Sequence, residues 1–145
     1  MPIVIDANAA NSLACGGCES SKAILGWIRT QGSVTSGGQL QLELVRTQLR
    51  PLLAQWASAG KLFILPATDV ARAQAIVHPD CISNDSHVVA VLKLSGAKIL
   101  VTGDQNLKAD AKNKDLIPQA CKVISCDQGH FSRVRIVRPL LAKFG

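Results

Sequence analysis

The sequence predicts an α/β protein: a three-layer α/β/α fold with a parallel sheet of four to five strands. Short apolar runs recur at residues 3–5, 33–36, 62–65 and 98–102, and amphipathic stretches long enough for helices separate them. Strands alternating with helices form βαβ units, whose parallel sheet is covered by helices on both faces through right-handed crossovers. In addition, Ile3-Val4-Ile5-Asp6 and Ile99-Leu100-Val101-Thr102-Gly103-Asp104 each deliver a carboxylate into a turn, from opposite ends of the sequence. In an open α/β sheet such strand ends are where ligands collect.

Residues 3–5 are too few to assign by period, but the Asp6-Ala7-Asn8 turn behind them favours a buried strand. Ser20 or Ser21 then caps a helix through Lys22, Ala23, Ile24, Leu25, Trp27 and Ile28, which Gly32 ends. After the strand at 33–36, Gly37-Gly38 opens the longest helical stretch. Its Leu42, Val45, Leu49, Leu52 and Trp56 recur at steps of three and four. Pro51 lies inside it, so two consecutive helices or one kinked helix are expected.

Gly60 closes that stretch, residues 62–65 form a third strand, and Thr68 or Asp69 caps a helix with Val70, Ala71, Ala73 and Ile76. Beyond a loop at Pro79, Ser83 or Asn84 caps a helix with Val88, Val89, Val91, Leu92 and Leu94, which Gly96 terminates before the fourth strand. Residues 105–113 predict a polar helix. Residues 123–125 and 134–137 both read as strands. The second alternates with Arg133, Arg135 and Arg138 like an exposed edge and is the preferred fifth strand. No repeat, low-complexity segment or linker divides residues 1–145, so one domain is expected.

A 145-residue domain buries roughly 68 to 70% of its unfolded surface, enough for a two-sided core. Apolar content of 48% with 18% charged residues argues against disorder. No apolar run approaches the ~20 residues of a spanning helix. Residues 1–6 lack the basic segment and long apolar stretch of an export signal, so a cytoplasmic location without a membrane partner is expected.

The net charge is +6, and eight of the 16 basic residues (Lys108, Lys112, Lys114, Lys122, Arg133, Arg135, Arg138 and Lys143) lie beyond residue 107. That distribution suits a polyanionic partner as well as a solvated surface. Aromatic residues are few and Tyr is absent, which argues against a base-stacking platform. The five cysteines read most simply as free thiols. Cys15-Gly16-Gly17-Cys18 has CxxC spacing, but Cys121 and Cys126 make too loose a second pair for a closed zinc site. The aromatic or proline context of redox CxxC motifs is absent, although Gly16 and Gly17 allow the loop to turn.

Of the ten acids, four stand where an α/β sheet would gather them: Asp6, Glu43, Asp85 and Asp104. Each taken singly is an ordinary turn, cap or surface residue. Taken together they repel one another unless a cation occupies their centre, and all-oxygen ligation selects Mg²⁺ or Mn²⁺.

The combination resembles the PIN-domain ribonucleases. The residues that carry the resemblance are Asp6-Ala7-Asn8, Val34-Thr35-Ser36-Gly37-Gly38 leading to Glu43, Asn84-Asp85-Ser86-His87, and Val101-Thr102-Gly103-Asp104-Gln105-Asn106-Leu107. Ile136-Val137-Arg138-Pro139, with Phe144 beyond, is similar to the family's closing strand and helix start. The resemblance implies that Asp6, Glu43, Asp85 and Asp104 hold one or two Mg²⁺ or Mn²⁺ ions for hydrolysis of single-stranded RNA. It makes Asn8, Ser36 and Thr102 supporting polar groups. Many members carry another acid where this chain has Asn106; Asp110, a helical turn and a half beyond Asp104, is expected to face solvent and not to replace it. Lys108, Lys112, Arg133 and Arg135 are the expected phosphate contacts.

An antitoxin protein and a second copy of the chain are the further partners the resemblance implies, if the protein is the toxin of a toxin-antitoxin pair. Two other readings stand beside it: a catalytically weak PIN-like RNA-binding module, and a phosphatase using Asp6 as nucleophile, for which Asn8 replaces the usual second Asp. His78, His87 and His130 read as structural or surface residues, His87 because two helical positions past Asp85 it faces elsewhere.

Overall fold

The computed structural model describes residues 2–127 and 130–144, without the side chains of Asp127 and His130. The reading of His130 therefore lies outside the described residues. β1 (Pro2–Ile5) leads through α1 (Ala7–Cys15) and α2 (Glu19–Thr30) to β2 (Ser33–Gly37). Next, α3 (Gly38–Leu44) and α4 (Arg50–Ser58) lead to β3 (Leu62–Leu65). α5 (Ala67–Val77), a 3₁₀ turn (His78–Asp80) and α6 (Ser86–Ser95) precede β4 (Ile99–Thr102). α7 (Gln105–Lys112), β5 (Lys122–Asp127), β6 (His130–Phe131) and α8 (Val134–Lys143) complete the chain.

Strand order is β3-β2-β1-β4-β5-β6. β1 to β5 are mutually parallel, and the two-residue β6 pairs antiparallel with β5. The order reverses at β1: β2 and β3 are added on one side, then β4 and β5 on the other. Such a switch point opens a crevice beyond the carboxyl ends of β1 and β4. The architecture is the three-layer α/β/α arrangement expected, with α2 packed on α1 and α8, and α6 on α5 and α7.

Ile3, Val4 and Ile5 of β1 and Ile99, Leu100 and Val101 of β4 are fully buried, as central strands covered on both faces must be. Each such aliphatic side chain contributes roughly 1.5–3 kcal/mol through burial. α6 adds Val88, Val89, Ala90, Val91 and Leu92 to the same core. No helix among the described residues is long and apolar enough to cross a membrane.

Pro51 lies in the first turn of α4, so the long stretch divides into two helices, as its position requires. The break removes Leu42 from the expected stripe, whereas Val45, Leu49, Leu52 and Trp56 do pack in or against the core. Leu42 is 63% exposed, while Leu40, Leu44, Leu49, Leu53 and Trp56 enter the core, because a helical period cannot run through the non-helical residues 45–49. Gly38 opens α3 with φ +53 and packs on Val70, a backbone state that costs glycine little. Ile76 and Leu94 are likewise exposed, and Val77 is buried in place of the former. The N-cap positions of α2, α5 and α6 are held by Cys18, Pro66 and Asp85, of which only Cys18 makes a side-chain cap, and not by the Ser20 or Ser21, Thr68 or Asp69, and Ser83 or Asn84 expected.

Two elements differ more deeply from expectation. The segment after Asp6 is a helix, α1, and not merely the turn expected: Ala7, Ala9, Ala10 and Ala14 favour helix, and Ala9, Ala10 and Leu13 bury one face. The fifth strand is formed around residues 123–125, whereas 134–137 opens α8, with Pro139 inside it. In α8, Val137 and Leu141 are buried one turn apart and the arginines point outward; the alternation imitated a strand because the segment is short. The similarity of residues 136–139 to a closing strand is overturned with it.

Gly32 ends the turn after α2 by donating to the Trp27 carbonyl at 2.8 Å, and it lies so close under the Trp27 ring that a Cβ would overlap it. Gly32→Ala is expected to lower stability by roughly 1–3 kcal/mol in urea denaturation, since the buried Trp27 ring must shift to admit the methyl group. An unchanged midpoint would contradict this packing.

Candidate functional site

Pairing of Ile5 with Val101 places the next residues, Asp6 and Thr102, side by side, and the Asp6 N–H donates to the Val101 carbonyl at 2.9 Å. Thr102 Oγ1 donates to Asp6 Oδ2 at 2.8 Å and accepts from the Asp104 N–H at 3.1 Å. One hydroxyl thus orients the first acid and steadies the turn that carries another. Asn8, in the first turn of α1, accepts from the Gly103 N–H at 3.2 Å and ties that turn to the same helix.

Asp6 and Asp85 stand at the N-cap positions of α1 and α6, yet neither side chain accepts a capping hydrogen bond. Their carboxylates interact with each other and with Asp104 instead. Asp104 does cap its helix: its Oδ1 accepts from the Asn106 N–H at 2.8 Å and the Leu107 N–H at 3.3 Å.

Burial pushes the Asp6 carboxyl up, and the Asp104 charge adds to it. The Thr102 hydroxyl, the Ala7 N–H and His87 oppose the shift. Asp85 is pushed up to about 6, first by burial, then by the Asp6 charge and by a hydrogen bond and charge from Asp104, with His87 opposing. A carboxyl retaining its proton beside two acids is the electrostatic signature of crowded like charge.

Glu43 and His87 form a separate pair. His87 is buried, and its Nε2 lies 2.7 Å from Glu43 Oε1, so the ring nitrogen donates to the carboxylate. This corrects the expectation that His87 faces elsewhere. That expectation applied helical geometry to Asp85, whose φ of −112° and ψ of 41° are not helical. The histidine's influence on both Asp6 and Asp85 makes it part of the site. Glu43 lies in the last turn of α3, not at a helix start as expected, and His87 in the first turn of α6, so no local spacing announces the pair.

Asp110 also differs from expectation. It is buried, not solvent-facing, and its two oxygens accept the Ile82 and Ser83 N–H groups, each at 3.0 Å. It braces the loop that delivers Asp85. Ser36, the next-to-last residue of β2, is fully buried, with no partner for its hydroxyl among the described residues. Asn106 is exposed and reaches Asp104 through its backbone alone. Lys108 and Lys112 follow one another along a face of α7, while Arg133 and Arg135 are exposed at the start of α8. His78 is exposed, with Nδ1 3.0 Å from Ser86 Oγ, a fastening of α6 to the preceding turn.

The oxygen donors Asp6, Asp85 and Asp104 are of the kind hard divalent cations take. Among the described residues, no group of three or more His, Cys, Asp or Glu stands at metal-ligand spacing as the side chains lie here.

Two predictions follow from this geometry. The Asp85 carboxyl is raised from 3.8 to about 6, so its stability contribution is complete below pH 4 and is lost as pH rises through 6. In metal-free buffer, the melting temperature of the native protein relative to Asp85→Asn should therefore fall between pH 4 and 7; a constant difference would refute the raised carboxyl. Asp110→Ala leaves the buried Ser83 N–H and the half-buried Ile82 N–H without their acceptor and should cost roughly 1–3 kcal/mol in chemical denaturation, an outcome that a solvent-facing Asp110 would not give. Neither the protein-family models nor the curated proteins compared with this chain include a match to it.

Proposed function

We propose that the protein is a metal-dependent endoribonuclease of the PIN type, hydrolysing phosphodiester bonds of single-stranded RNA. The observation supporting this reading is the meeting of Asp6, Asp85 and Asp104 at the switch-point crevice, where burial first, and the crowding of acids second, push the Asp85 carboxyl up to about 6. A divalent cation relieves that crowding better than a proton does, and three carboxylates fit Mg²⁺ or Mn²⁺. Bound there, such an ion supplies charge neutralisation at the phosphate and a water of lowered pKa.

The chain's own groups preset the arrangement. Thr102 orients Asp6, the amides of α7 orient Asp104, and Asp110 braces the loop before Asp85. Glu43 is engaged by His87, and it is His87 that acts on Asp6 and Asp85. Lys108, Lys112, Arg133 and Arg135 hold flanking phosphates without reading bases.

Cleavage of single-stranded RNA with Mg²⁺ or Mn²⁺ tests the proposal. Asp6→Asn should fall to background, and Thr102→Val should lose roughly ten- to a hundredfold by releasing Asp6. Equal rates for wild type and Asp6→Asn overturn the assignment. Growth arrest on expression, relieved by the product of a neighbouring reading frame, separates a toxin from an RNA-processing enzyme.

A second reading, an RNA-binding module of weak activity, draws on the engagement of Glu43 by His87 and on Asn106 in place of an acid. Salt-sensitive RNA binding without metal-dependent turnover distinguishes it.

A further inference from the structure

The CxxC segment is untouched by the acid cluster: Cys15 ends α1, roughly 13 Å of helix from Asp6, and Cys18 caps α2. Gly16 takes φ +63 and donates to the Leu13 carbonyl at 3.1 Å, reversing the chain between the two cysteines. The Cys15 sulfur lies 3.5 Å from where a Cβ on Gly17 would stand, folded back over the loop that leads to Cys18. Cys15 is exposed and Cys18 half-buried, and both line one cavity of about 420 Å³ with Phe131 on its wall.

The cap itself bears on reactivity. Cys18 occupies a position where Ser, Thr, Asp or Asn ordinarily offers an oxygen. Its sulfur accepts the Ser21 N–H at 3.4 Å and donates its own proton to the Ser21 hydroxyl at 3.4 Å, while that hydroxyl donates to the Cys18 carbonyl at 2.9 Å and accepts the Cys18 N–H at 3.3 Å. Sulfur accepts weakly as a thiol and strongly as a thiolate, so the capping geometry rewards loss of the proton. Burial opposes this, but Ser21, the Ser20 N–H and the Lys22 charge prevail and hold the Cys18 thiol below its ordinary value. By contrast, burial pushes Cys81 and Cys121 up to about 11, and Cys126 is buried.

We propose that Cys15 and Cys18 form a thiol-disulfide exchange site that reacts with low-molecular-weight disulfides, Cys18 attacking and Cys15 resolving. The Cys18 thiolate attacks one sulfur of glutathione disulfide, forming a mixed disulfide and releasing one glutathione thiolate. Cys15 gives its proton to water, and its thiolate attacks the Cys18 sulfur, expelling the second glutathione thiolate. Two protein thiols are oxidised to one disulfide while one glutathione disulfide is reduced to two thiols.

The test equilibrates the folded protein with graded mixtures of reduced and oxidised glutathione, then traps thiols with iodoacetamide and maps tryptic peptides by mass. Cys15 and Cys18 share the peptide of residues 1–22, and each other cysteine falls in a peptide of its own. The 1–22 peptide should lose two hydrogens at ratios that leave Cys81, Cys121 and Cys126 alkylated. Cys15→Ser should accumulate the mixed disulfide on Cys18, and Cys18 should alkylate about tenfold faster than Cys81. Dialkylation of 1–22 at every ratio, or a Cys15→Ser variant that forms no mixed disulfide while melting as wild type does, overturns the proposal. RNA cleavage does not enter these measurements, so their failure leaves the nuclease reading untouched.

Discussion

The parallel pairing of β1 with β4 is the constraint on which the rest depends. Those strands meet although almost a hundred residues separate them, and they meet where the strand order reverses. Their buried aliphatic residues hold them at the centre of the sheet. The consequence at the carboxyl end is a single hydrogen bond, from Thr102 to Asp6, that converts register into side-chain geometry. Asp104 inherits its place from the same hydroxyl. A slip of one residue in this pairing would remove Thr102 from Asp6 and turn their side chains to opposite faces.

Around that pair the fold spends its helix starts unusually. Two aspartates sit at N-cap positions and leave the caps unmade, a loss of about 1 kcal/mol each where an Asp cap is otherwise available. The third makes its cap and still reaches Asp85. Asp110, buried beneath the preceding loop, shows that acids here serve two ends: it satisfies backbone donors completely, whereas Asp85 keeps a perturbed carboxyl. Unequal satisfaction of chemically identical side chains separates framework from site.

Much of the candidate site was legible because it rests on local rules. A strand ending in an acid, a threonine two residues before another acid, and an aspartate at a helix start are readable without coordinates. Helical position alone does not place His87 or Asp110, because Asp85 is not helical and Asp110 is covered by a loop distant in sequence. Leu42 departs from its stripe similarly, since a single period does not run across the break between α3 and α4.

By itself the sequence determined the layered α/β class, four of the five parallel strands, the division of the long helical stretch at Pro51, and the identity of the strand-end acids. These follow from apolar runs, proline geometry and turn residues, which act over a few positions. Only the tertiary structure decided that residues 122–127 outcompete 134–137 for the sheet, that α1 is a helix, and that His87 answers Glu43. Those outcomes depend on which surface each segment finds to bury against, and contacts between distant segments leave no period in the chain.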